Sequence, residues 1–237
     1  MARIARVIAP GMPYHVTHRG NHRSDVFFEN ADRERYLALL AQHSKLYGME
    51  VWAYCLMTNH VHLIVVGQES HSLARAIGFS HMRYSRSVNQ RFGWTGHLWA
   101  NRFYSTALDG SHLWEAVRYV ERNPVRAGLS ARAEDYAWSS ARAHVMREAS
   151  ALLAETRPFP GPVEDWSEWL AMPGDESVVE TIRRNTCTGR PSGSESFVKQ
   201  LEERLHRLLR PMKAGRKPKA PEANASDDLF QVEGGGK

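Results

Sequence analysis

The chain has 237 residues, 42% of them hydrophobic, so it can form one good-sized domain with an appendage or two small domains. Its two cysteines, Cys55 and Cys187, are too few for a disulfide framework or a cysteine-based zinc site. No apolar run is long enough to span a bilayer and no signal-peptide pattern is present, so a cytoplasmic protein without a membrane partner is expected. The net charge of +5 favours an anionic partner.

Hydrophobic periodicity predicts seven elements in the first half of the chain. In chain order they are strand 13–19, helix 31–47, strands 49–57 and 60–66, helix 72–92, strand 97–108 and helix 111–122. Asn30 or Asp32 is expected to cap the first helix, and Ser111 the last one. The order β-α-β-β-α-β is typical of an α+β, ferredoxin-like sandwich with an antiparallel sheet, to which the last helix would be an addition.

Charge is unevenly distributed along the chain. The net charges are +6 over 1–154, −6 over 155–180, +8 over 181–220 and −3 from 221 onward. A basic block behind an acidic segment is typical of a separate polyanion-binding element.

This pattern predicts four regions. They are a catalytic domain over 1–150, an acidic linker rich in Pro and Trp over 151–180, a basic helical element over 181–212 and a disordered tail over 213–237. Within the linker, Trp166 and Trp169 indicate a small packed element, and a stripe of apolar residues predicts a helix over 196–209.

His60 and His62 stand one residue apart in the predicted strand 60–66, which places both imidazoles on one face of the sheet. The apolar neighbours Val61 and Leu63 assign the other face to the core. Because imidazole is the commonest metal ligand, the pair predicts a divalent metal site, although paired imidazoles also occur in half-buried sheets without metal. Affinity alone favours zinc over magnesium or manganese, but site geometry and metal supply can reverse that order.

Tyr119 and Asn123 lie four residues apart, about one helical turn, near the end of the last predicted helix. A tyrosine in a helix usually belongs to the core or to an interface, and its phenol is a poor nucleophile without a metal or a base. Asn123 could supply a third metal ligand, but it precedes Pro124 and so would lie at the end of the helix. Glu115 and Glu121 are the alternative oxygen ligands.

Basic side chains provide candidate nucleic-acid contacts. Arg83, Arg86 and Arg91 on the second predicted helix either form a solvated face or, with nearby aromatic residues (Tyr84, Phe92, Trp94 and Trp99), a surface that binds phosphates and stacks on bases. Arg216 and Lys217 in the basic tail are typical of a minor-groove contact, and also of basic disordered tails in general.

Three segments together resemble the HUH single-tyrosine transposases, and most closely the REP-associated tyrosine transposases of bacteria. They are Tyr14-His-Val-Thr-His-Arg-Gly-Asn21, Met57-Thr-Asn-His-Val-His-Leu-Ile64 and Tyr119-Val-Glu-Arg-Asn-Pro-Val-Arg-Ala-Gly128. A fourth segment, 135–140, matches as well. The resemblance covers roughly residues 10–145.

The resemblance implies a ferredoxin-like catalytic domain in which His60 and His62 bind Mg²⁺ or Mn²⁺ and Tyr119 is the nucleophile. Attack on a DNA phosphate would leave a 5′-phosphotyrosine and a free 3′-hydroxyl, and reversal would rejoin strands without ATP. In the wider class a glutamine one turn after the tyrosine completes the metal site, and Asn123 holds that position here. The implied partner is single-stranded DNA beside short hairpins.

Two other functions are compatible with the residues. One is a DNA- or RNA-binding protein of the same fold without catalysis, and the other is a metal-dependent hydrolase that uses water, with Tyr119 in a structural role. Related enzymes include dimers that exchange their tyrosine helices, whereas a monomer is expected here, with a dimer as the alternative.

Overall fold

Four strands form one antiparallel sheet in the computed structural model, which describes residues 4–155 and 165–210. The strands are β1 (Pro13–Arg19), β2 (Met49–Leu56), β3 (His60–Gly67) and β4 (Tyr104–Ala107). Their spatial order is β2-β3-β1-β4, and every neighbouring pair is antiparallel. With a helix after β1 and another after β3, this order confirms the predicted ferredoxin-like α+β sandwich.

Eight helices accompany the sheet in the described part of the chain. They are α1 (Asn30–Leu46), α2 (Ser72–Phe92), α3 (Gly110–Glu121), α4 (Asn123–Arg126), α5 (Ala141–Val145), α6 (Trp166–Ala171), α7 (Glu176–Thr188) and α8 (Glu195–Leu205). The helix α2 has the predicted bounds, since Gly93 adopts a left-handed φ of +65° that ends it.

The alternation of side chains along β3 divides the core into two layers. Val61, Leu63 and Val65 are fully buried beneath α1 and α2, where they meet Tyr36 and Ile77 among others. The alternate residues of β3 face the opposite layer.

That second layer consists of α3 and α7. Ile64 and Val66 of β3 pack there against Val117 of α3 and Ile182 of α7. At the start of β3, next to α3 and α7, this face borders an open cavity.

Two predicted helix caps need correction. The helix α3 is capped by Asp109, whose carboxylate accepts the backbone N–H of His112, and not by Ser111. The helix α1 is capped by Glu29, with Asp32 accepting the Glu29 N–H from the third helical position, so neither Asn30 nor Asp32 is the N-cap itself.

The strand predicted over 97–108 is confined to β4. Leu98 and Trp99 have the residue types of a strand, but they turn into the core from a loop in which Asn101 has a φ of +53°. Strand pairing in this segment is limited to one isolated antiparallel bridge between Trp99 and Gly20, and the two apolar side chains are buried in the core.

The region after residue 150 also differs from the prediction. Residues 165–180, expected to be part of a linker, contain α6 and the first part of α7, whose N-cap Asp175 accepts two backbone N–H groups. Trp166 and Trp169 do form a packed element, since they contact each other and Trp114. The predicted helix over 196–209 corresponds to α8, and the predicted tail over 213–237 lies outside the described residues.

No helix among the described residues has the length and apolar character needed to cross a membrane.

Candidate active site

The two histidines of β3 lie side by side, with ring centroids 5.0 Å apart. They line an open cavity of about 720 Å³ between the start of β3, α3 and α7, which we call the histidine cavity. Its lining includes His15, Arg19, Arg23, His60, His62, Tyr119, Asn123, Arg126, Arg183 and Thr186. The sequence prediction that His60 and His62 share a face of the sheet is therefore confirmed.

His60 is held in one orientation by its neighbour. Its Nδ1 lies 2.6 Å from Oδ1 of Asn59, and the Asn59 amide nitrogen donates to the carbonyl of Arg23 at 3.0 Å. Because Asn59 offers its oxygen, the imidazole donates through Nδ1, which leaves the lone pair of Nε2. Burial, and then the charge of Arg19, lower the pKa of His60 to about 4, so the ring is neutral at pH 7.

His62 is more deeply buried than His60. Its Nδ1 contacts Nε2 of His15 on β1 at 2.9 Å, and the two rings stack with an interplanar angle of 12°. Burial, followed by the neighbouring His15 and His60, holds the pKa of His62 well below its ordinary value. Burial likewise lowers the pKa of His15 to about 3. All three rings are therefore in the neutral form that metal ions bind.

Tyr119 lies on the face of α3 that points toward these histidines. Its ring meets His62 edge-on with centroids 5.4 Å apart, and His15 in the same manner at 5.7 Å. The guanidinium carbons of Arg126 and Arg183 lie 5.2 Å and 5.1 Å from the centre of the tyrosine ring. Tyr119 is half-buried: it packs against the core beneath α3 and also lines the histidine cavity.

Asn123 is the one of the three candidate oxygen ligands that lines the histidine cavity. It begins α4, where its side-chain nitrogen donates to the Tyr119 carbonyl at 3.1 Å and its amide oxygen is left to accept. Glu115 instead pairs with Arg118 and accepts the backbone N–H of Asp175.

Glu121 points away from the histidine cavity. It is fully buried and accepts hydrogen bonds from Ser140, His144 and the Trp166 indole. Across residues 4–155 and 165–210, no three His, Cys, Asp or Glu side chains form a metal-binding group, so a metal site here requires an amide or water oxygen beside the two imidazoles.

Four arginines line the cavity, and none of the described lining residues is acidic. Arg19 lies opposite His60 in the pairing of β1 with β3, Arg23 follows β1, and Arg126 and Arg183 flank Tyr119. Such a concentration of guanidinium groups favours an anion with several oxygens, of which a phosphodiester is the simplest biological example.

These arginines were not singled out from the sequence. Arg19 and Arg126 could have been found, because each lies within a segment that carries the family resemblance. Arg183 carries no local signal, since only the packing of α7 brings it to Tyr119.

The arginines predicted to contact nucleic acid lie elsewhere. Arg83 and Arg86 are exposed on α2, which packs on the opposite face of the sheet, and Arg91 forms ion pairs with Glu29 and Asp32. Two of the aromatic residues grouped with them, Tyr84 and Trp99, are buried in the core, while Phe92 and Trp94 are exposed. Arg216 and Lys217 lie outside the described residues.

Comparison with known proteins gives a family. The family model described as IS200-like transposase matches residues 9–123. No curated protein matches the chain by sequence.

Two solved structures are similar to this one. A REP-associated tyrosine transposase bound to a REP hairpin has a TM-score of 0.50 at 16% identity, over 69% of this chain and 99% of that chain. A candidate transposase from Deinococcus radiodurans R1 has a TM-score of 0.36 at 16% identity, over 62% of this chain and 98% of that chain.

The fold and the family model together define the class of protein as a DNA transposase on a ferredoxin-like sandwich. Residues 9–123 match the IS200-like transposase family, which confirms the resemblance found in the sequence at that level. The matched segment contains His60, His62, Tyr119 and Asn123, whereas Arg126 and all of α7 lie beyond it.

Proposed function

We propose that this transposase nicks and rejoins single-stranded DNA with Tyr119 as its nucleophile. The observation that carries the proposal is the position of Tyr119: it is half-buried, two guanidinium groups and His62 contact its ring, and none of the described residues that line the cavity is acidic.

The arginines account for binding of the scissile phosphate. Arg126 and Arg183 both contact the ring of Tyr119, so a phosphodiester held by their N–H groups would lie near the tyrosine. Arg19 and Arg23 extend the positive surface along the cavity, where they would hold adjoining phosphates of the strand.

The covalent step exchanges one phosphate ester for another. Oη of Tyr119 forms a bond to phosphorus while the bond from phosphorus to the 3′ oxygen breaks. The phenol loses its proton and the departing 3′ oxygen gains one, so the products are a 5′-phosphotyrosine and a 3′-hydroxyl. Attack by the 3′-hydroxyl of another strand reverses the step and transfers the strand, because the ester energy is retained.

His60, His62 and Asn123 fit a divalent cation, for which we propose Mg²⁺ or Mn²⁺. Both imidazoles are neutral, the Nδ1 of His60 is engaged by Asn59, and the amide oxygen of Asn123 is left to accept. When bound, such an ion supplies Lewis-acid stabilisation of the charge that develops on the phosphate. A pair of imidazoles alone would favour zinc, so the amide oxygen and water ligands matter for the choice of metal.

Hairpin-forming single-stranded DNA is the substrate we propose. The solved REP-associated transposase that shares this fold is bound to a REP hairpin. The four arginines of the cavity suit a single strand that enters from an adjoining hairpin, because they offer phosphate contacts without reading base sequence.

A denaturing gel with two labels tests the mechanism. Hairpin oligonucleotides labelled at the 3′ end should give a protein-linked product in Mg²⁺ or Mn²⁺, whereas the same oligonucleotides labelled at the 5′ end should give a shorter free strand. Tyr119→Phe should lose both products and keep DNA binding, since the ring and its arginine contacts remain. Tyr47→Phe, a half-buried tyrosine on the other side of the sheet, is the matched control and should retain both products.

Two results would indicate a function other than the one proposed. Cleavage without a protein-linked product, unchanged in Tyr119→Phe, would indicate a hydrolase that uses water. Tight hairpin binding with no cleavage across a library of hairpins would indicate a DNA-binding protein.

A further inference from the structure

A chain of hydrogen bonds connects α7 to the histidine cavity, and it begins at a backbone carbonyl. The hydroxyl of Thr186 lies 2.7 Å from the carbonyl oxygen of Ile182, one turn earlier in α7. Because a carbonyl oxygen only accepts, the single hydroxyl proton of Thr186 is used in this bond. The oxygen of Thr186 is then an acceptor for whatever else it contacts.

The other contact of Thr186 is His15. Its Nδ1 lies 2.8 Å from the Thr186 oxygen, so His15 donates there and carries its proton on Nδ1. The neutral ring then has a lone pair on Nε2, which lies 2.9 Å from Nδ1 of His62. His62 must therefore donate through Nδ1, which leaves its own Nε2 with a lone pair.

We infer that Thr186 and His15 are positioning residues that hold His62 in the tautomer able to bind a metal ion. This rests on the proposed function, in which His62 binds the cation through Nε2. The reverse direction has the opposite consequence: a proton pointing from Thr186 to His15 would place the His62 proton on Nε2, where it blocks coordination.

Because His15, His62 and Thr186 are all buried, the hydrogen bonds between them determine the tautomer of His62. The exposed fractions are 1% for His15, 5% for His62 and 1% for Thr186, so water has little access to replace a missing partner. A buried N–H that loses its acceptor is costly, and the rings would exchange tautomers to avoid that cost.

The C-terminal part of the chain then has a different role from the separate DNA-binding element that the sequence predicts. Thr186 and His15 are 171 positions apart in sequence, and α7 lies outside the segment matched by the family model. The basic region predicted to be a separate DNA-binding element therefore supplies the second part of α7 to the site, with Thr186 in contact with His15 and Arg183 beside Tyr119.

Nitrogen NMR of the full-length protein without metal or DNA tests the direction of the chain. In ¹⁵N-histidine-labelled wild type, both His15 and His62 should appear as the Nδ1–H tautomer. Thr186→Val removes the acceptor at nearly constant shape, and His62 should shift toward the Nε2–H tautomer. Thr186→Ser restores the hydroxyl and should restore the wild-type spectrum.

A matched control is available on the same helix. Thr188 is also buried and its hydroxyl also donates back to α7, at 3.2 Å from the Arg184 carbonyl, but among the described residues it makes no hydrogen bond to a histidine. Thr188→Val therefore removes the same kind of helix bond and should leave the His62 tautomer unchanged.

Metal binding provides a second measurement. Titration with Mn²⁺, followed by electron paramagnetic resonance, should show about tenfold weaker binding for Thr186→Val, the lower end of losses from such supporting partners, with Thr186→Ser and Thr188→Val near wild type.

Two outcomes would overturn the inference. One is a wild-type His62 that carries its proton on Nε2, a result that holds even if a variant fails to fold. The other is a Thr186→Val protein with unchanged tautomer and unchanged Mn²⁺ affinity. Because the spectrum needs neither DNA nor activity, the inference is tested separately from the nicking reaction.

Discussion

The two faces of the sheet each contain a pair of histidines joined by a hydrogen bond, yet the pairs differ in what remains available. Beneath α2, Nδ1 of His18 meets Nδ1 of His81 at 2.8 Å, while their other nitrogens contact the Ala100 carbonyl and the Tyr36 hydroxyl. All four ring nitrogens thus have a partner within the protein.

On the other face, both ring nitrogens of His15 also have hydrogen-bond partners. His62 is the last residue of this hydrogen-bond chain, so its Nε2 stays available for a ligand in the cavity. His60 does the same, since its Nδ1 is held by Asn59. The comparison teaches that a buried histidine becomes a candidate ligand when its partner occupies only one nitrogen and the other faces an open cavity. Residue type and burial alone do not separate the two pairs.

The largest expected effect follows from removal of the His62 imidazole, whose Nε2 is available to a metal ion. His62→Ala should lower adduct formation by about a thousandfold, because loss of about 4 kcal/mol of charge stabilisation by a metal corresponds to that factor. Single-turnover cleavage of a labelled hairpin measures the change. Retention of most of the rate would show that the cavity histidines do not take part.

The corresponding change on the other face should affect stability instead. His81→Leu removes the hydrogen bonds that His81 makes with the Tyr36 hydroxyl and with Nδ1 of His18, so the free energy of unfolding should fall by about 2 kcal/mol. Urea unfolding measures this loss, and cleavage per folded molecule should stay at the wild-type value. A stable but inactive His81→Leu protein would contradict the distinction between the two faces.

Arg183 tests whether α7 belongs to the catalytic face. Arg183→Ala should lower cleavage about tenfold, since a charge-assisted contact to phosphate contributes about 1.5 kcal/mol. Arg184→Ala changes the adjacent exposed arginine, which does not line the histidine cavity, and serves as the control. Equal losses in both variants would indicate a general charge effect in place of a specific contact.

The last prediction concerns the pH dependence of stability. Burial lowers the pKa of His15 to about 3 and that of His60 to about 4, and the pKa of His81 also falls well below its ordinary value of 6.5. Between pH 6.5 and these lower values the unfolded chain binds protons that the folded chain does not. The free energy of unfolding should therefore decrease as pH falls through this window.

Urea unfolding at a series of pH values measures that decrease. The dependence should be shallower in His81→Leu, which has one buried histidine fewer. A stability that stays constant from pH 6.5 to pH 4 would contradict the burial of these neutral rings.

Much of the fold could be predicted because its signals are local. The run 60–66 is apolar apart from His60 and His62, and Ser72–Phe92 has an amphipathic period ended by Gly93. The failure over 97–108 has the opposite cause, because Leu98 and Trp99 satisfy their hydrophobicity by tertiary burial from a loop.

The site residues also fall into two groups, those with a local sequence signal and those without one. His60, His62, Tyr119 and Asn123 could be identified because they fall in short motifs with regular spacing. Thr186 and Arg183 could not, since their roles depend on where α7 packs, and neither periodicity nor charge indicates that position. Glu115 and Glu121 looked equivalent to Asn123 in sequence, and their buried or paired surroundings distinguish them only in three dimensions.

Peptide mass spectrometry of the covalent product tests the central claim most directly. After cleavage of a hairpin oligonucleotide, digestion by nuclease and protease should leave a nucleotide attached through its 5′ phosphate to the peptide that contains Tyr119. A nucleotide on a different residue, or efficient cleavage with every tyrosine unmodified, would contradict the assignment of Tyr119 as the nucleophile.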